Sequence, residues 1–196
     1  MRPLNLTRLL ERSSYVRRIY MKITNMSQVT TKLGDKGYSS NYVQEKYRKD
    51  NILFDVLGTN DELSSWLGLT YHYSQYEPIL KFQAALQSMN TLIATNPDAD
   101  HPNAKLTQTF NEEALKFLED EEQRLLLEKP IEARFVLPGS EASLTGAYFD
   151  MSRSVCRRAE RKIVKFIAET KREDLWLALK YINRLSDLLF VLARTK

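Results

Sequence analysis

From about Asp55 to Arg194 the apolar residues of this chain return every three or four positions, in runs long enough for helices and separated by strong breakers. The first run begins near Asp55 and puts Leu63, Trp66, Leu67, Thr70 and Tyr71 on one face. Pro78 opens a second, in which Ile79, Phe82, Leu86, Met89 and Ile93 recur, and Asn96-Pro97-Asp98 stops it. Thr109 and Glu112 stand at capping-box spacing ahead of a third, roughly 110–128, with Leu115, Leu118 and Leu125 inward. Pro130 and Pro138-Gly139 bracket Phe135-Val136-Leu137, a segment too short for a packed helix. From Ser140 to about Thr170 a fourth helix carries Leu144, Tyr148, Met151, Val155 and Ile163 as its stripe. The fifth, about 172–194, is apolar almost all round, which places it at a bundle centre or in an interface. Lys180, Asn183, Arg184 and Asp187 interrupt it and exclude a membrane span. The expectation is an all-α five-helix bundle forming one domain over 21–196, preceded by an ordered, Gly-punctuated loop from Thr30 to about Lys49.

The formal charge of +4 is unevenly placed. Arg2, Arg8, Arg12, Arg17 and Arg18 face one acid, Glu11, within the first twenty residues, which leaves 24 basic and 24 acidic residues for the rest of the chain. A body with no basic excess argues against nucleic acid as the partner. The Arg-rich, acid-poor start, with Leu6, Leu9, Leu10 and Val16 near helical spacing, has the composition of a mitochondrial transit peptide. Residues 1–20 are therefore expected to address the protein to the mitochondrial matrix; a basic tail or an upstream start before Met21, with a cytoplasmic product, is the alternative. One cysteine, Cys156, permits no intramolecular disulfide, and two histidines, His72 and His101, supply neither a His-rich metal cage nor a Ser-His-Asp triad.

Three polar clusters remain as candidates for chemistry. Thr31-Lys32-Leu33-Gly34-Asp35-Lys36-Gly37-Tyr38-Ser39-Ser40 combines glycines, lysines and hydroxyls, the donors a polyphosphate requires, without the order of a P-loop. The residues alone leave phosphate binding and a plain surface turn both open. Arg153, Arg157 and Arg161 share a helix face, with Arg158 and Glu160 between them. Such a face is either solvated or built to grip phosphate oxygens with paired hydrogen bonds. Asn183 and Asp187 lie one turn apart inside an otherwise apolar helix, where polar groups need partners. Asp61, in Gly58-Thr59-Asn60-Asp61-Glu62-Leu63, stands near the expected start of the first helix, where a carboxylate favours the helix dipole.

Taken together, these motifs resemble those of the PduO-type ATP:cob(I)alamin adenosyltransferases. The resemblance rests on the loop from Thr31 to Gly37, Gly58 to Ser65, Phe135-Val136-Leu137-Pro138-Gly139, RSVCRRAER from Arg153 to Arg161, and the run from Tyr181 to Phe190. The five occur in family order. The resemblance implies a homotrimer of five-helix bundles with active sites between subunits, using ATP with magnesium and taking cobalamin as substrate. It points to Thr31, Lys32, Gly34, Asp35, Lys36, Ser39 and Lys49 around ATP. Arg157, Arg158, Glu160, Arg161 and Asn183 would meet the nucleotide from the neighbouring subunit. It pairs Asp61 with Arg153 across the interface and sets Phe135 beneath the corrin ring, naming these three as the catalytic positions. A cobalamin reductase and an adenosylcobalamin-dependent enzyme are the implied partners.

Two departures stand against that pattern. Leu33 replaces a hydroxyl-bearing residue of the phosphate loop, and Ser140 replaces the usual second glycine after Leu-Pro-Gly. They leave open a non-catalytic nucleotide- or corrinoid-binding descendant beside the active enzyme. The arginine helix alone would also suit a structural or RNA-binding helical oligomer.

Overall fold

The computed structural model of the chain describes residues 23–106, 110–139 and 143–196. They divide into two compact units, one ending at Lys36 and one running from Gly37 to Lys196. The described part of the first, 23–36, holds a single 3-10 turn, Met26–Gln28. Asn25 Oδ1 accepts the Ser27 N–H at 3.0 Å while Gln28 Oε1 accepts those of Thr24 and Asn25 at 3.1 Å, so the two side chains cap the start of the turn reciprocally.

The second unit opens with a short antiparallel hairpin, β1 (Tyr38–Ser40) and β2 (Lys46–Arg48), in the register Tyr38↔Arg48, Ser39↔Tyr47, Ser40↔Lys46. Five α-helices follow among the described residues: α1 (Ile52–Ser74), α2 (Pro78–Ile93), α3 (Glu112–Glu128), α4 (Leu144–Thr170) and α5 (Trp176–Thr195). The bundle expected from periodicity is thus present. Helix α1 packs on α2 and α4, α4 also on α5, and α5 on α3. The tilted pair Phe82–Phe117, with ring centroids 6.3 Å apart, brings α2 back to α3 and closes the ring of helices. None of the described helices is long and apolar enough to cross a membrane.

Helix starts follow their capping residues. Asn51 Oδ1 accepts the Leu53 N–H at 2.9 Å, so α1 begins at Ile52, not near Asp55. Asp61 is accordingly more than two turns inside α1 and too far from its N-terminus to act on the helix dipole, which corrects the role composition suggested for it. Asn111 caps α3 by accepting the Glu113 N–H at 3.2 Å; Thr109, the expected cap, lies outside the described residues. Helix α4 starts at Leu144 behind the cap Ser143, while Ser140 also lies outside the described residues. A 3-10 turn, Glu173–Leu175, precedes α5, which begins at Trp176 rather than at 172.

Every apolar residue named for α2 is buried, and so are Leu63, Leu67, Thr70 and Tyr71 of α1. Helix α4 departs from expectation in its first half. Leu144 and Met151 are exposed, and the inward face is Gly146, Phe149, Ser152 and Cys156, rotated about one residue from the anticipated stripe. The reason is close approach: a Cβ added at Gly146 would stand 2.7 Å from the carbonyl oxygen of Ala193, so glycine lets α5 in where a side chain would hold it off.

That contact predicts opposite signs for two alanine substitutions. Gly146→Ala pushes on backbone and should cost about 1–3 kcal/mol, whereas Gly58→Ala, with open space around the new methyl on a helix surface, should stabilise by about 0.5–1 kcal/mol. Thermal melts of the two variants check this; equal shifts would refute the packing argument.

Candidate functional site

The glycine-lysine loop lies mostly in the first unit. Thr31, Lys32, Asp35 and Lys36 are exposed and Gly34 is half-buried. Lys32 takes a left-handed backbone (φ 58°), and the Asp35 N–H donates to the Lys32 carbonyl at 3.3 Å, forming a turn that presents charged side chains to solvent. Leu33 sits on the same turn and is 83% exposed.

Ser39 and Lys49 belong to the second unit and are set by the hairpin. The Lys49 N–H donates to the Gly37 carbonyl at 2.9 Å, closing the open end. At the tip, the Glu45 carboxylate accepts from Asn41 Nδ2 (2.7 Å), Tyr47 Oη (2.9 Å) and Asn96 Nδ2 (2.8 Å). The Tyr42 N–H adds a bond to the Ala94 carbonyl at 3.0 Å. One carboxylate thus ties the hairpin to the chain beyond α2. The Asn96 hydrogen bond, with those from Tyr47 and Asn41, holds the Glu45 carboxyl below the usual carboxylate range against the opposing cost of burial.

The arginine face is carried by α4. Arg153 and Arg157 line a cleft of about 380 Å³ together with Asp187 and Phe190 of α5, Glu122 of α3 and Ile131. Burial raises the Glu122 carboxyl above its ordinary range, and the charge of Asp187 adds to it. The Arg153 Nε is buried without a hydrogen-bond partner; its nearest acid, Asp150, stands 3.7 Å away. Asn183 Nδ2 donates to Glu160 Oε1 at 2.9 Å, so these two expected site residues do meet. Arg161 Nη1 donates to the Arg157 carbonyl at 3.1 Å. Arg158 points elsewhere and pairs with Glu62 of α1. Asp61 is exposed and joins no salt bridge of its own chain among the described residues.

Phe135 occupies the extended segment between α3 and α4 and is 88% exposed, with Leu137 of the same segment also exposed. Cys156, by contrast, is fully buried with Sγ 3.3 Å from the Ile182 carbonyl, and burial pushes its thiol up, so it is no nucleophile. Among the described residues, no three His, Cys, Asp or Glu side chains stand close enough to hold a metal ion.

Sequence reasoning passed over Glu45, Glu62, Glu122, Asp150 and Arg194. None has a signal in periodicity, because each acquires its role from a residue distant in the chain.

A sequence model of the family described as cobalamin adenosyltransferase matches residues 29–196. The chain belongs to that family. The resemblance drawn from the five motifs is borne out. The corrinoid adenosyltransferase MMAB of Bos taurus is 35% identical over 180 residues, spanning 88% of this chain and 73% of its own. A corrinoid adenosyltransferase of Citrobacter freundii is 31% identical over 170 residues, 86% of this chain and 94% of its own. Among solved structures, a phenylalanine-to-alanine variant of the PduO-type ATP:corrinoid adenosyltransferase from Lactobacillus reuteri, complexed with cobalamin and ATP, superposes with a TM-score of 0.73. It is 26% identical, and the match covers 85% of this chain and 92% of that one. As a cobalamin adenosyltransferase family member, the chain places its arginine face and its exposed Phe135 on one all-α frame.

The Glu45 network makes a pH prediction. Its folded-state pKa is lowered, so the stabilisation is present above the unfolded value, near about 4.3, and is lost as pH falls through the folded one. Glu45→Gln should therefore cost about 1 kcal/mol near pH 7, with the difference from wild type vanishing in strong acid. Melts across pH 3–7 measure it; a pH-independent difference would contradict the network.

Proposed function

We propose that this chain transfers the 5′-deoxyadenosyl group of ATP to the cobalt of cob(I)alamin, giving adenosylcobalamin and triphosphate. The observation that carries the reading is the pairing, in one family member, of an arginine face on a cleft with a solvent-facing aromatic. The electron pair of cobalt(I) forms the cobalt–carbon bond as the bond from the ribose 5′ carbon to triphosphate breaks. No proton is abstracted, so no general base is needed, which suits a chain with two histidines and a buried thiol. What the protein supplies is alignment of the reactants and neutralisation of the leaving triphosphate.

In this reading Thr31, Lys32, Gly34, Asp35, Lys36, Ser39 and Lys49 surround ATP, and Arg157, Arg158, Glu160, Arg161 and Asn183 approach from a neighbouring subunit. Magnesium binds mainly through phosphate oxygens and water with one or two carboxylates, and Asp35, exposed on the loop, is the carboxylate it would use. Leu33 forgoes one hydrogen bond to a charged group, of order 1.5–3 kcal/mol, so ATP is bound less tightly than with a hydroxyl there. Phe135 fills the space beneath the corrin and keeps a lower axial ligand away, which eases reduction of cob(II)alamin.

A homotrimer is supported by what a single chain leaves unfinished. Asp61 joins no ion pair among the described residues, and Leu69, Tyr73, Leu144 and Met151 expose an apolar surface on α1 and α4. Pairing with the part-exposed guanidinium of Arg153 in a second copy would give the Asp61 carboxylate an ionic partner. The basic first twenty residues support import into the mitochondrial matrix, where a cobalamin reductase would deliver the substrate and an adenosylcobalamin-dependent enzyme receive the product.

Two variants test the division of labour. Arg157→Ala should raise the ATP requirement and slow transfer, by about tenfold or more, even with chemically reduced cobalamin. Phe135→Ala should be slow only when cob(II)alamin must first be reduced by a protein or flavin, and close to wild type when cob(I)alamin is supplied. Equal losses under both conditions would reduce Phe135 to a packing residue.

A further inference from the structure

The segment that carries Phe135 is held at its far end by a residue outside the motifs. The Gly139 N–H donates to Asp150 Oδ2 at 3.0 Å, and Gly139 itself turns the chain with a left-handed φ of 76°. Asp150 is 3% exposed. Its other oxygen, Oδ1, accepts from Arg194 Nη2 at 2.5 Å, and the Arg194 side chain is 6% exposed. The carboxylate therefore cannot swing away to solvent: one oxygen is clamped by the last helix, and the other is left facing the segment. Arg194 is fixed in turn, its guanidinium carbon 5.0 Å from the Phe190 ring centroid, and Phe190 lines the cleft. The approach of α5 to α4 at Gly146 and Ala193 is what brings Arg194 to Asp150.

A buried ion pair of this kind is a poor means of adding stability, since desolvation offsets most of the attraction. It does fix geometry. Resting on the proposed transfer reaction, we infer that Asp150 is a positioning residue for it. Locked by Arg194, its carboxylate anchors the loop 131–139 through Gly139 and so sets where Phe135 stands. Asp150 touches no substrate in this account. Its effect on the reaction passes through the loop; because Oδ1 also lies 3.7 Å from Arg153 Nε, the arm with chemically supplied cob(I)alamin separates the loop from any effect through that arginine.

Removing Asp150 alone would strand a buried guanidinium and risk the fold, so the test uses a paired apolar replacement, Asp150→Leu with Arg194→Met, beside Asp150→Asn. Hydrogen exchange on the full chain should show faster exchange over 131–139 in the paired variant, with α4 and α5 still protected. Transfer from ATP to chemically supplied cob(I)alamin should stay within about threefold of wild type with an unchanged KM for ATP, while transfer starting from cob(II)alamin falls about tenfold. Adding Phe135→Ala to the paired variant should produce little further loss, because both changes act on one step. Unaltered exchange over the loop, or losses that multiply with that of Phe135→Ala, would overturn the positioning role while leaving the transfer reaction intact. A wild-type chain that forms no cobalt–carbon bond from ATP and cob(I)alamin would overturn the reaction itself, and the positioning role with it.

Discussion

Burial of α5 is the constraint on which the rest of this protein depends. Ala178, Tyr181, Ile182, Leu185, Leu188, Leu189, Leu192 and Ala193 are all removed from solvent, so the helix must be surrounded rather than laid on a surface. That is achieved by α3 on one side and α4 on the other, with α4 coming close enough only because residue 146 lacks a side chain. Three functional features follow from this contact. The cleft forms between α4 and α5 with arginines on one wall and Asp187 and Phe190 on the other. Glu160 of α4 reaches Asn183 of α5. Arg194 reaches Asp150, and through it the Phe135 segment is tied to the bundle.

The proposed chemistry fits a frame of this kind. Cob(I)alamin is itself the nucleophile, so the difficult step belongs to the substrate and the protein's task is placement and charge. Placement is what helices packed at fixed distances and a clamped loop provide. Charge is provided by guanidinium groups that the chain leaves incompletely neutralised. Arg153 Nε stands 3.7 Å from Asp150 Oδ1, and Arg157 makes no ion pair among the described residues.

Much of this was legible in the sequence, for reasons that differ between fold and site. Helices announce themselves by local periodicity, and α2 shows the limit of that clarity: all five of its anticipated core residues are buried. Boundaries were less legible because caps decide them; Asn51 starts α1 at Ile52 rather than near Asp55, and Asn111 starts α3 at Glu112 rather than near 110. The stripe of α4 was misjudged at Leu144 and Met151 because periodicity gives a helix two adjacent apolar faces there, and only the glycine contact with α5 chooses between them. The arginine face and Asn183 could be found because their spacing is local. Asp150 with Arg194, and Glu45 with Asn96, could not, since the partners lie 44 and 51 residues apart and meet only after folding.

The central claim is that this chain lets cobalt displace triphosphate from the ribose 5′ carbon. An anaerobic single-turnover measurement with ATP and chemically reduced cob(I)alamin tests it most directly, following the cobalt–carbon bond by its absorption while the phosphate product is identified. Adenosylcobalamin and intact triphosphate should appear together, in equal amounts and at the same rate. Adenosylcobalamin absent, or phosphate released as ADP or pyrophosphate without a cobalt–carbon bond, would contradict the account.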